Sequence, residues 1–73
     1  MSAEWKHGKI LWFDDLSGDG MVIDQDGNDF YFHWSAIYTE TPDKRRKVKE
    51  NKKVKFTVYD DGYRTQADKV REV

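Results

Sequence analysis

From Trp5 to Phe13 apolar and polar residues roughly alternate, and this two-residue period recurs later in the chain. A helix would repeat near 3.6 residues, so the pattern, rich in β-branched and aromatic types, confines the chain to strands. Gly18 and Gly20 are expected to flank a turn before Met21-Val22-Ile23 restarts a strand. Asp24-Gln25-Asp26-Gly27-Asn28 is dense in turn formers and should join two antiparallel strands. In the strand that follows, Phe30 and Phe32 face one way and Tyr31 and His33 the other. Ser35-Ala36-Ile37 reads as a short turn leaving it. Residues 38–51 are polar, hold the only proline (Pro42), and read as a long loop or a partly helical excursion. Beyond them Val54, Phe56 and Val58 should point inward and Lys53, Lys55 and Thr57 outward. Asp61-Gly62, between Tyr59 and Tyr63, is the strongest hairpin signal. The last strand is expected from about Tyr63 to Val70.

Three strands, a long connection and two more strands predict an all-β fold: a partly open, five-stranded antiparallel Greek-key barrel of the oligonucleotide-binding (OB) type. The 73 residues allow one domain, residues 1–73, and no second core. With no cysteine, neither a disulfide framework nor a thiolate metal site is available, so packed strands alone must supply a modest stability. No apolar run approaches the length of a signal-peptide core or a membrane span, and a soluble, cytoplasmic protein is expected.

The net charge of −1 conceals a strong polarity. Residues 1–43 carry two basic side chains, Lys6 and Lys9, against nine acidic ones, whereas residues 44–73 carry eleven basic against five acidic. Such asymmetry suggests one side that faces a polyanion. Single-stranded nucleic acid exposes its bases, and a ring stacked on a base contributes about 1–3 kcal/mol. Trp12, Tyr31, His33 and Trp34 are the candidate stacking groups, and Met21 can add apolar contact. Lys9, Arg45, Arg46, Lys47, Lys53 and Lys55 are the candidate phosphate contacts. Plainer readings stand beside these. Trp5 reads as packing at a barrel end, and Phe13, Phe30, Phe32, Phe56 and Ile37 as core or edge packing. Trp12 and Trp34 have an alternative place against the long loop, and the basic run an alternative as a solvated or partner-docking loop. His7 and His33 lack the further ligands of a metal site. Asp24-x-Asp26-Gly27 lacks the distal Glu of a calcium loop and fits a hairpin turn. Ser17-Gly18-Asp19-Gly20 has no Gly-Lys-Ser/Thr after it, so it is no phosphate-binding loop. No nucleophile–base pair can be placed; no enzyme activity and no cofactor are expected.

Across residues 8 to 70 the chain resembles the cold-shock domain family. The family's opening Gly-Lys-x-Lys-Trp-Phe-Asn appears as Gly8-Lys9-Ile10-Leu11-Trp12-Phe13-Asp14, with Leu11 in place of lysine. Its first ribonucleoprotein motif, Lys-Gly-(Phe/Tyr)-Gly-Phe-Ile, reads Ser17-Gly18-Asp19-Gly20-Met21-Val22: both glycines remain, while the lysine and both aromatics are gone. The second, Val-Phe-Val-His-Phe, reads Phe30-Tyr31-Phe32-His33-Trp34 and keeps Tyr31, His33 and Trp34 where the family presents its stacking groups. Residues 50–58 resemble the family's Glu-Gly-Gln-x-Val-x-Phe-x-Val, whereas the closing Gly-Pro-x-Ala-x-Asn-Val is degraded to Arg64-Thr65-Gln66-Ala67-Asp68-Lys69-Val70. The resemblance implies an OB-type barrel that binds single-stranded RNA or DNA with low sequence specificity, as an RNA chaperone or a regulator of transcription or translation. Losing two aromatics at Asp19 and Met21 would remove about 2–6 kcal/mol of stacking, and Asp19 sets an anion where a phosphate strand would pass. The basic run offers compensation, which would shift the footprint toward the second motif. The same departures suit an alternative: a degenerate barrel that docks a protein partner, or a second copy of itself, without nucleic acid.

Overall fold

The computed structural model of the chain describes residues 4–38 and 48–73. Arg45, Arg46, Lys47 and most of the expected loop or helical excursion lie outside the described residues. Among the described residues five strands form, β1 (Lys6–Asp14), β2 (Asp19–Asp24), β3 (Asp29–His33), β4 (Lys53–Asp60) and β5 (Thr65–Glu72), with one 3-10 turn at Trp34–Ala36. They make a closed barrel in the order β1-β2-β3-β5-β4, β4 returning to pair with β1. The all-β five-stranded architecture is as expected, but the barrel is closed rather than partly open. One seam also departs from the antiparallel rule. β3 and β5 run parallel and meet through a single pair, Tyr31 with Gln66. A parallel bridge between Ile37 and Val70, and a hydrogen bond from the Tyr38 amide to the Val70 carbonyl (2.8 Å), extend that seam. Arg71 stacks over the Tyr38 ring at 4.2 Å and holds the chain there.

Two bulges set which side chains face in. In β1, Ile10 pairs with Val22 and Trp12 with Met21, leaving Leu11 as the extra residue. A straight strand with Ile10 inward would bury Trp12 and expose Phe13. The bulge reverses this: Trp12 is 40 % exposed, while Phe13 packs on the core and stacks on Phe32 with centroids 5.8 Å apart. Between β4 and β5 the register slips after Thr57 and Lys69, leaving Asp68 as the extra residue. Ala67 and Val70, three apart, then both face inward. One expectation on β4 is not met: Thr57, expected to be an outward and exposed position, is buried at 4 % exposure although β4 itself carries no extra residue. Val58 packs partly against the core, as expected.

The core is Ile10, Val22, Phe32, Ile37, Val54, Phe56, Ala67 and Val70, flanked by half-buried Phe13, Phe30, Trp34, Ala36, Val48 and Val58. Trp5 departs from the packing expected of it: it is 39 % exposed, with the Lys55 ammonium 5.0 Å above its ring.

Local chemistry explains the turns. The first lies at residues 15–18, so Gly20 belongs to β2 rather than flanking it. Gly18 takes φ 77° and donates its amide to the Asp14 carbonyl at 2.8 Å. Gly20 lies so near β1 that a Cβ would sit 2.4 Å from the Trp12 carbonyl oxygen. In the β2–β3 hairpin the Asp24 carboxylate accepts from the amides of Asp26 and Asn28, both at 2.9 Å. Those amides, Asn28 foremost, hold its pKa below the usual 3.8 against the opposing effect of burial. At the β4–β5 hairpin Asp61 accepts from the amides of Tyr63 and Arg64 at 2.9 Å. This ties both residues into the turn, so β5 begins at Thr65 rather than Tyr63 and runs on to Glu72, opposite Val54.

Candidate nucleic-acid interface

The outward side chains of β1, β2 and β3 form rows across the barrel. Trp12 pairs with Met21 and Met21 with Tyr31, so the two rings flank the thioether with 40 % and 39 % exposure. The next row runs Asp14, Asp19, His33. The ribonucleoprotein-like segments are thus brought together by register. Position 21, where an aromatic is missing, lies directly between two retained rings.

The rings are held. The Tyr31 hydroxyl donates to Oδ2 of Asp19 at 3.4 Å, and Oδ1 of Asp19 accepts from the Ser17 hydroxyl. Burial, then the Asp19 charge, raises the Tyr31 pKa above its usual value, with Arg64 acting in the opposite sense. His33 caps the 3-10 turn: its Nδ1 accepts from the Ser35 amide at 3.2 Å and lies 2.9 Å from the Ser35 hydroxyl. With Nδ1 so engaged, the ring orientation is set by the backbone and its other edge is left outward. Trp34 is only half exposed and shared with the core; its ring lies 5.4 Å from that of His33, tilted by 38°. A shallow recess beside Tyr31 is lined by Met21, Asn28, Asp29, Phe30 and Thr65.

Arg64 lies close enough to Tyr31 to act on its hydroxyl, whereas Lys53 and Lys55 occupy another part of the barrel. Lys9 pairs with Lys53 across β1 and β4, and Lys55 lies opposite both His7 and Arg71. Lys9 shares β1 with Trp12, so it borders the aromatic row, whereas Lys53 and Lys55 sit one strand beyond. A cavity of about 440 Å³ near Lys9 and Lys53, between Ile23 and Val54, lies away from the rings. The aromatic face itself is acidic, with Asp14, Asp19 and Asp29 on its three strands.

Sequence reasoning did not find the row's continuation. Tyr31 pairs with Gln66, and Gln66 with Tyr59, the latter 48 % exposed. Nothing local marks these two residues, because the β3–β5 seam joins positions far apart in the chain. Among the described residues no group of three or more His, Cys, Asp or Glu is placed to hold a metal ion. No helix there is long and apolar enough to cross a membrane.

Comparison with known proteins bears on the same strands. The profile of the family described as the 'Cold-shock' DNA-binding domain matches residues 6–73. The cold shock-like protein of Thermotoga maritima is 35 % identical over 66 residues, which cover 90 % of this chain and 96 % of that protein. The major cold shock protein CspA of Pseudomonas aeruginosa is 31 % identical over 68 residues, 93 % of this chain and 94 % of the relative. A solved structure titled drosophila Unr CSD456 superposes with a TM-score of 0.77 at 20 % identity, over 99 % of this chain but 28 % of that one, and so speaks to the fold. The barrel, its paired ribonucleoprotein-like strands and a profile match spanning all five strands agree: the chain belongs to the cold-shock domain family.

Proposed function

We propose that the chain binds single-stranded RNA or DNA across the β1–β3 face, with Trp12, Tyr31 and His33 stacking on bases. One observation carries this reading: Trp12, Met21 and Tyr31 form an unbroken outward row whose two rings are each about two-fifths exposed. Exposed rings on a sheet face are what unstacked bases need, since every base offers a π-face. Stacking of this kind tolerates sequence, so specificity is broad. Trp34 supports His33 and offers a ring edge, and Met21 fills the space between stacked bases. Lys9, Lys53 and Lys55 contact phosphates along β1 and β4, joined by Arg45, Arg46 and Lys47. The cellular role that follows is an RNA chaperone or a regulator of transcription or translation, acting in the cytoplasm.

The test is tryptophan fluorescence during titration with a short pyrimidine-rich single strand at low and near-physiological salt. Saturable quenching that weakens with salt is expected, and Tyr31→Ala should lose about 1–3 kcal/mol of binding. Replacing Lys44, Arg45, Arg46 and Lys47 together should flatten the salt slope by about 0.7 for each phosphate no longer neutralised. A flat trace at low salt would remove the reading. The acidic row of Asp14 and Asp19 beside the rings favours the second reading, a protein-docking barrel. That reading predicts a flat trace together with salt-dependent retention of a basic protein.

A further inference from the structure

Asp19 stands where its family has a stacking ring, and the structure gives its carboxylate a different use. While ionised, a carboxylate only accepts hydrogen bonds, with about four lone-pair sites. The Ser17 hydroxyl takes one on Oδ1 and the Tyr31 hydroxyl one on Oδ2. Each oxygen keeps one acceptor site, on a side chain that is half exposed and lies opposite His33 in the ladder. A base stacked on Tyr31 with its edge over the hydroxyl end meets this carboxylate.

We propose that Asp19 is a specificity-determining residue of the single-strand site, selecting a base with adjacent N–H donors, guanine first, over thymine and uracil. The proposal rests on the β1–β3 face being the single-strand site. Guanine presents N1–H and the N2 amino group side by side, one donor for each open site. Cytosine and adenine present one amino group beside a ring nitrogen acceptor that repels the second oxygen. Thymine and uracil present one N3–H between two carbonyls, both facing an acceptor-only group. A site whose polar group goes unpaired discriminates strongly against the ligand that fails to pair it. Repulsion between Asp19 and phosphates weakens every sequence alike and cancels from the comparison. The substitution thus exchanges stacking area for recognition of a base edge.

Three heptamers test this on the full chain by tryptophan fluorescence: all-thymidine, the same strand with a central guanine, and the same strand with central hypoxanthine, which lacks the amino group. The guanine strand should bind about tenfold tighter than all-thymidine, and the hypoxanthine strand should lose most of that gain. Asp19→Asn, which adds a donor and removes the charge, should bring all three within about twofold of one another while binding persists. Equal affinity of the wild type for the guanine and thymidine strands would overturn the proposal. So would undiminished binding of the hypoxanthine strand, which needs no variant to fold, or a guanine preference that survives Asp19→Asn. Absence of quenching by every heptamer at low salt overturns the single-strand reading and this proposal with it; binding without preference overturns this proposal alone.

Discussion

Gly20 shows how much a single position constrains this barrel. A Cβ there would lie 2.4 Å from the Trp12 carbonyl oxygen and 3.1 Å from the Phe32 ring, so β1 or β2 would have to move. Gly20→Ala is expected to destabilise the fold by about 2 kcal/mol or more, read from the midpoint of denaturant unfolding. Asp24 and Asp61 act through charge. Backbone amides hold both carboxylates ionised below the usual 3.8, those of Asn28 and Arg64 contributing most. A carboxyl whose folded pKa is depressed stabilises the fold above its unfolded pKa, and that contribution fades as pH falls through the folded value. Thermal stability should therefore drop as pH is lowered below about 4. Asp24→Asn and Asp61→Asn should each melt lower than the wild type at pH 7 and converge on it in acid. A melting temperature as acid-sensitive in both variants as in the wild type would contradict this assignment. These turn aspartates were legible in the sequence, because an Asx side chain bonds amides two to four residues away. The Tyr31–Asp19 contact was not, since it spans two strands and needs their register.

Among the elements, β3, like β2, has faces that follow directly from alternation: Phe30 and Phe32 inward, Tyr31 and His33 outward. It has no bulge, so the period of two holds along its length. β1 and β5 each carry an extra residue, and there alternation misleads. Leu11 is the β1 bulge residue, 39 % exposed and unpaired in the ladder with β2. The side chain is therefore free to change without repacking the core. Leu11→Lys should leave the melting temperature nearly unaltered, tighten single-strand binding and steepen its salt slope by about 0.7. An unaltered slope would mean that the bulge does not face the phosphates. The β4–β5 slip lets Ala67 and Val70 share the core, and no local pattern announced it.

For the whole molecule, closure is the decisive event. The β3–β5 seam has one strand pair, yet it brings Gln66 and Tyr59 into the aromatic row and leaves the barrel without a free edge at that position. Closure converges on Phe32, fully buried and in contact with Phe13. Phe32→Ala is expected to cost about 3–5 kcal/mol, a large part of what a domain of this size possesses, and a broadened or absent thermal transition would register it. The charge polarity counted along the chain is only partly segregated in space: Asp14, Asp19 and Asp29 lie on the β1–β3 face with Arg64 near Tyr31, and Lys9, Lys53, Lys55 and Arg71 lie along β1, β4 and β5 among Asp60, Asp68 and Glu72. The amino-acid sequence by itself determined the strands, the hairpin turns, the fold class, the family and the rings of the second motif. Each of these depends on periodicity, turn chemistry or motif order, which act over a few residues. Tertiary structure alone decided which way Trp12 faces, that Ala67 and Val70 share the core, that Asp19 meets Tyr31, and that Tyr59 extends the row. Those outcomes depend on bulges and on a seam that exist only when strand tilt and stagger are reconciled around a closed barrel.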